Sequence, residues 1–294
     1  MSNIFTCLIC GITFLVNTHL FSFGQNNMHE SHSAFIVMTY NIRYNNPDDG
    51  INSWSNRKEK LISVVQNEDP DIIGFQEALK DQIDDLSLVL KTYAWFGKGR
   101  DDGNEKGEYV VIFYKKDRFL KLDSGYFWLS ETPEKSGSIG WDAACTRIVS
   151  WIKLKDIITG SELFHFNTHF DHEGQKARIE SAKLLTDNIR NIAGNSSVIL
   201  TGDFNCQDDS EAIGYLTNKG STFHFSDSRK ISKTKPSGPH FTYTGFEVGK
   251  IEGELIDYIF VRKINKVLSH KIIDKSFDGF YPSDHIPAVT YILL

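Results

Sequence analysis

The 294-residue sequence predicts a β-rich α/β fold in which two sheets pack face to face and a few helices cover their outer sides. Two observations carry that expectation. Short runs of β-branched, aliphatic and aromatic residues recur from residue 34 to residue 292, whereas only three stretches show a helical apolar stripe. No internal repeat and no Gly/Ser/Pro-rich linker separates these elements, so one domain over 34–294 is expected.

The first apolar run, 34–40, gives way to the turn-forming Asn45-Asn46-Pro47-Asp48-Asp49-Gly50. Ser53 or Ser55 can cap a helix over 55–67 whose Leu61, Val64 and Val65 share a face, and Asp69-Pro70 ends it. A buried strand fits 72–75, followed by a helix over 79–90 with Ile83, Leu86, Leu88 and Leu90. Strands are expected over 93–96 and 109–114, with the charged, glycine-bearing segment 98–107 looping between them. Further strands fit 119–129, 146–154 and 161–168, a helix fits 173–193, and the last strands fit 197–201, 255–261, 266–273 and 286–292.

Residues 4–23 contain no Asp, Glu, Lys or Arg and read as the apolar region of a signal peptide, with Ser22-Phe23-Gly24 ahead of Gln25 as the cleavage point. A missing Lys or Arg before the run is a departure from that pattern. The expectation is therefore a signal peptide over 1–24, a flexible lead-in over 25–33 and a secreted or periplasmic monomer without a membrane span; a retained N-terminal anchor is the alternative. Cys7 and Cys10 come too early for a lipoprotein acceptor, and Cys145 and Cys206 are too few for a disulfide scaffold. The net charge of −6 argues against a grip on long duplex DNA, which relies on neutralising phosphates.

Polar and acidic residues sit at the carboxyl ends of the apolar runs. Asn41, Glu77 and His169 each close one, Asp203 and Asn205 close another, Asp257 lies inside Ile256-Asp257-Tyr258, and Asp284-His285 precedes the last strand. A carboxylate against a hydrophobic strand is costly unless a cation or hydrogen bonds compensate it. Such repetition points to one shared site. Carboxylate and amide oxygens without a cysteine cluster are hard ligands, suited to Mg²⁺, with Mn²⁺ as a substitute, rather than to a zinc thiolate site. His169 and His285 each have an acidic neighbour to protonate or orient them.

At these residues the chain resembles the endonuclease/exonuclease/phosphatase superfamily of metal-dependent phosphoesterases. Thr39-Tyr40-Asn41-Ile42-Arg43, Gly74-Phe75-Gln76-Glu77, Asn167-Thr168-His169, Gly202-Asp203-Phe204-Asn205, Ile256-Asp257-Tyr258-Ile259 and Ser283-Asp284-His285 follow the family's order across nearly all of 34–294. The resemblance implies a four-layer α/β/β/α sandwich of two mixed sheets flanked by helices, with the site where the sheets open. It implies Glu77 as principal metal ligand, Asn41 beside it and Asp284 on the metal's water shell. Asp203 is implied to orient or deprotonate the attacking water, and Asn205 to hydrogen-bond the phosphate or nucleophile. His285, paired with Asp257, is implied to stabilise the phosphate or act as acid/base, and His169 to be a second donor to it. Arg147, in Thr146-Arg147-Ile148-Val149-Ser150-Trp151, looks like a family arginine facing the phosphate, a surface ion pair being the alternative. His169-Phe170-Asp171-His172 with Ala177-Arg178 is similar to the deadenylase and nocturnin-like branch. Arg43 stands where nuclease members often carry an acid, which favours a one-metal arrangement.

The expected activity is hydrolysis of a phosphoester by metal-assisted attack of an activated water. A phosphodiester is favoured, and the family admits a nucleic acid or nucleotide-like substrate; acidity turns the weight toward a small or single-stranded one. Phospholipid, sphingomyelin, or sugar or inositol phosphate hydrolysis is the alternative, and a catalytically inactive binding protein is the non-enzymatic one. His165 reads as a satisfied core or surface histidine rather than a ligand, Asp171 as a helix cap and Cys206 as a packing residue. Trp54 and Trp141 stand in polar segments, where an exposed indole can stack on a base, although packing is the commoner use.

Overall fold

The computed structural model describes residues 33–294; the expected signal peptide, and all but the last residue of the lead-in, lie outside the described residues. Four strands come early in the chain: β1 (Ala34–Asn41), β2 (Ile72–Ala78), β3 (Tyr93–Phe96) and β4 (Tyr109–Lys115). Then follow β5 (Phe119–Trp128), β6 (Ile148–Asp156), β7 (Glu162–His169), β8 (Ser197–Asp203), β9 (Ser226–Asp227) and β10 (Asp257–Arg262). β11 (Lys266–Ile272) and β12 (Ala288–Leu293) return to the first group. They form two six-stranded sheets, ordered β11-β12-β1-β2-β4-β3 and β5-β6-β7-β8-β10-β9.

Each sheet contains a parallel pair, β1–β2 in one and β7–β8 in the other. Parallel neighbours need a crossover, and helices α1 (Trp54–Glu68) and α3 (Gln175–Ala193) supply it. α1 and α2 (Lys80–Val89) cover the outer face of the first sheet, where Leu61, Val65, Ile83 and Leu86 share a core with Met38, Tyr40, Ile73 and Phe113. The alternate residues Phe35 and Val37 point inward to the second sheet, whose far side is covered by Leu185 and Ile189 of α3. Helix, sheet, sheet and helix make the four expected layers.

A polar seam crosses the middle of the sandwich near the site. Asn167 of β7 donates through Nδ2 to the carbonyls of Phe75 and Val111 at 2.8 and 3.1 Å, beside a register shift in the β2–β4 ladder. Its Oδ1 accepts from Gln76 Nε2 at 2.7 Å and from Thr201 Oγ1 at 3.0 Å. His165, fully buried, completes the seam on Thr201 Oγ1 at 2.8 Å, which makes it the core rather than the surface histidine of the two expected alternatives. The sheets approach this closely because β2 carries Gly74 here: a Cβ on it would lie 2.2 Å from Thr201 Oγ1 and 2.7 Å from Asn167 Oδ1.

Strand and helix positions match the sequence expectation to within a few residues. The segment between Asp203 and Asp257 also holds α4 (Glu211–Leu216), β9 and α5 (Ser228–Ile231), and a 3₁₀ turn spans Pro47–Asn52. These pieces are too short to show a period in sequence. Trp54 opens α1, is 3 % exposed and donates through Nε1 to Asp85 at 2.8 Å, so it packs rather than presents a stacking face. No helix among the described residues is long and apolar enough to cross a membrane.

Gly74→Ala should force the sheets apart or break the Asn167 seam, at a cost of about 1–3 kcal/mol, the range for overpacking a filled core. Urea unfolding checks this; a midpoint equal to that of the unmodified protein would show that the seam yields freely.

Candidate active site

Strands that run parallel finish at the same rim. Asn41 ends β1, Glu77 lies near the end of β2, His169 ends β7 and Asp203 ends β8. Antiparallel β10 starts with Asp257 opposite Asp203. Asp284 and His285 precede β12, the antiparallel partner of β1, and so arrive at the rim from the other side. Arg43, Glu77 and Asn205 leave the extended region, with φ of 53°, 61° and 49°. A left-handed φ costs a residue with a Cβ about 1–2 kcal/mol. At Glu77 it coincides with the irregularity between Phe75 and Ala78, which breaks the strand's alternation and re-aims the carboxylate.

Every residue singled out for the site stands at or beside this rim. Asn41 Nδ2 donates to Glu77 Oε1 and to Asp203 Oδ2, both at 2.9 Å, and so ties one sheet to the other. Glu77 Oε2 accepts from the Tyr44 N–H at 3.2 Å, and Asp203 Oδ1 from the Asn205 N–H at 2.9 Å. The Nε2 atoms of His169 and His285 approach Asp203 Oδ2 to 3.5 and 3.7 Å. His285 Nδ1 lies 2.8 Å from Asp257 Oδ2.

Three expected details differ. Asn41 is wholly buried and its Oδ1 accepts from the Arg43 N–H at 3.0 Å, so it offers hydrogens to the carboxylates rather than an oxygen to a metal. The carbonyl of Phe170 can only accept, so the atom facing it at 3.0 Å is the Asn205 amide nitrogen, whose second hydrogen points to His169 Nε2 at 3.0 Å. Asn205 therefore has no hydrogen left for a phosphate. His169 in turn carries its proton on Nδ1 and does not donate through Nε2.

Burial opposes charge on all of these groups, and their partners decide which way each goes. Burial pushes the Asp203 carboxyl above its usual range, and the Asp257 charge adds to it. Burial likewise raises Asp284, with the opposing pull of His285 and the push of Glu77 following. For His285 burial favours the neutral ring, but Asp257, Asp203 and Asp284 outweigh it and hold the imidazolium well above the ordinary histidine value. His169 goes the other way: burial and then the Arg147 and Arg100 charges keep it neutral.

Ligand atoms of Glu77, His169 and Asp203 lie within 4.8 Å of one another, as do those of Asp203, Asp257 and His285. In the second group His285 Nδ1 is already engaged by Asp257 Oδ2 at 2.8 Å. Glu77, Asp203 and Asp284 supply the oxygens that can hold a hard divalent ion at the rim.

A cleft of about 480 Å³ opens over the rim. Arg147, just ahead of β6 and 4 % exposed, stands in its wall; Nε lies 3.4 Å from Asp171 Oδ2, Nη2 lies 2.9 Å from His172 Nδ1, and Nη1 is buried without a partner. Burial rules out the surface ion pair. Asp171 accepts from the N–H groups of Glu173 and Gly174 through Oδ1 and from that of Ala144 through Oδ2, so it fastens this wall to the turn before α3. The helix end itself is served by Asp142, whose Oδ1 accepts from the Ala177 N–H at 2.6 Å. Trp141 and Cys206 are not part of the lining.

Arg43 pairs with Asp49 at 2.9 Å on the lip, which puts positive charge where an acidic ligand is often found. Arg100, Glu108, Tyr243 and Glu254 also line the cleft and carried no signal in the sequence reading. Glu108 could have been found: like the others it abuts an apolar strand, β4, but at the amino end.

The endonuclease/exonuclease/phosphatase family model matches residues 38–285. An endonuclease/exonuclease/phosphatase from Bacteroides vulgatus is 39% identical, with 89% of this chain and 99% of that one covered and a TM-score of 0.85. The mannosyl-6-phosphatase of Bacteroides thetaiotaomicron is 34% identical, with 88% and 100% covered and a TM-score of 0.81. The catalytic domain of human nocturnin, with a bound sulfate, shares the fold at 21% identity, 89% and 93% coverage and a TM-score of 0.70. The motifs gathered at one rim and the match across most of the chain lead to the same conclusion: the protein belongs to the endonuclease/exonuclease/phosphatase family.

Proposed function

We propose that the protein is a Mg²⁺-dependent phosphatase of a small hydroxylated monoester, a sugar phosphate, exported by the leader-like residues 4–23. One observation carries the reading: Glu77, Asp203, Asp284 and the His285–Asp257 pair converge under a single cleft of about 480 Å³, a volume that suits one small ligand. Glu108 and Glu254 share its lining with Arg43, Arg100 and Arg147, and carboxylates are poor neighbours for a polyanionic strand. That mixed lining, with the 34% identity to a mannosyl-6-phosphatase, moves the weight from a diester to a monoester.

In this reading Glu77 and Asp284 hold Mg²⁺, which when bound offsets charge developing on the phosphoryl and leaving oxygens. Asn41 spaces Glu77 from Asp203 and fixes both carboxylates. Asp203 takes or orients the proton of the attacking water, the work of a positioned base. His285, kept charged by Asp257, stabilises the phosphoryl oxygens. Asn205 acts through His169, holding its ring with the proton on Nδ1, and Arg147, in the cleft wall, adds positive charge beside the phosphate.

Phosphate release from a hexose 6-phosphate should require Mg²⁺, stop with EDTA and exceed hydrolysis of bis(p-nitrophenyl) phosphate. Turnover that survives exhaustive chelation, or that is confined to the diester, refutes the assignment.

His285→Ala and Asp257→Asn should each lower kcat by about 10²-fold or more, the span of a positioned acid or base, and the double variant should be little worse than either. If Asp257 only satisfies backbone donors, the losses multiply and thermal melts of the Asp257 variant fall instead.

A further inference from the structure

Arg100 receives more structural support than a surface ion pair warrants. Its loop joins β3 to β4 and closes on itself: the Arg100 N–H donates to Glu108 O at 3.0 Å and the Asp101 N–H to Lys106 O at 3.1 Å. Trp128 Nε1 donates to Arg100 O at 2.7 Å. Two glycines are required, since a Cβ on Gly99 would lie 2.3 Å from Lys106 O and one on Gly107, at φ 81°, 2.5 Å from the Asp101 carboxyl carbon. What this frame holds in place is one guanidinium in the cleft wall.

Arg100 Nη1 donates to Glu108 Oε2 at 2.7 Å, and each side chain is only 16% exposed. Arg100 Nε is buried and has no hydrogen-bond partner among the described residues, Asp101 Oδ1 lying 4.0 Å away. Exposed pairs contribute little to stability, and largely buried ones must first repay their desolvation. Stability alone is therefore a weak reason for so fixed a pair in the cleft wall. Its position suggests another use. Glu108 Oε2 is 4.0 Å from His169 Nδ1, and His169 Nε2 is 3.5 Å from Asp203 Oδ2, so one imidazole separates the pair from the reacting centre.

A guanidinium beside a carboxylate offers fixed donors and an acceptor side by side. Vicinal hydroxyls are complementary to that arrangement, because each hydroxyl both donates and accepts. A phosphoryl group, which accepts through all its unprotonated oxygens, would be matched by Arg100 alone and would leave Glu108 without a role. We propose that Arg100 and Glu108 are the specificity-determining pair, which binds a diol of the substrate's leaving group next to the phosphate; this rests on the sugar-phosphate reading above.

The test compares a hexose 6-phosphate with phenyl phosphate, which has no hydroxyls, for the unmodified enzyme, Arg100→Lys and Glu108→Gln in Mg²⁺. The ratio of kcat/KM for the hexose ester to that for the phenyl ester should fall about tenfold or more in both variants, mostly through KM. Arg100→Lys keeps the charge, and thermal melts of both variants report whether the loop remains folded. Equal loss on both esters would mean that the pair serves the phosphate or the fold, and overturns the proposal, as does an unchanged ratio. A failure of the broader reading is seen in the unmodified enzyme, which would then hydrolyse phenyl phosphate and not the hexose ester; that result overturns both.

Discussion

Glu77, Asp203, Asp257 and Asp284 bring four carboxyl groups to one rim, and the three aspartates are each less than 10% exposed. Like charges so confined repel, and burial removes the water that would screen them. The chain offsets part of this with the Asn41 amide between Glu77 and Asp203, the N–H groups of Tyr44 and Asn205, and the His285 imidazolium on Asp257. The remaining excess of negative charge lies on the side of Glu77 and Asp284, where no cationic side chain is hydrogen-bonded to either among the described residues. That excess is what a divalent ion answers.

The fold can be understood as the means of assembling this charge. Two parallel pairs, one in each sheet, deliver four strand ends to a common edge, and the antiparallel partners of β1 and β8 bring in Asp284, His285 and Asp257. The sheets must lie close for Asn41 to bridge them, and Gly74 with the Asn167 seam sets that spacing a few residues behind the rim. At the rim, Arg43, Glu77 and Asn205 accept a left-handed backbone so that their side chains face the site.

Much of this was legible in sequence because a buried acid beside an apolar strand is expensive, and that expense marks a site wherever it recurs. Glu77, Asp203, Asp257 and Asp284 stand out in this way, and the structure brings them to one rim. Asn41 stands at the same rim, but its orientation is not readable in sequence, since which end of an amide faces a carboxylate depends on a third group, here the Arg43 N–H. His169 and His285 look alike in sequence; only burial and the company of Arg147 and Arg100 or of three carboxylates separate a neutral ring from a charged one. Arg100 was hidden in a charged loop, where one more charge carries no information. For Trp54 packing was the commoner expectation and the structure agrees, although its polar neighbours conceal the Asp85 contact made across two helices.

The catalytic proposal and the stability of the fold meet in one quantity, the free energy released when a cation enters the rim. A ligand that binds only the folded state raises stability by RT ln(1 + [L]/Kd). Thermal melts with and without Mg²⁺, for the unmodified protein and for Glu77→Gln, measure it directly. The account predicts a rise in Tm with Mg²⁺ for the unmodified protein. In EDTA the Glu77→Gln variant should melt no lower, because one repelling charge is gone, and Mg²⁺ should leave it nearly unmoved. An unmodified protein indifferent to Mg²⁺, or a variant that gains as much from it, would contradict the claim that this charge is gathered for a metal.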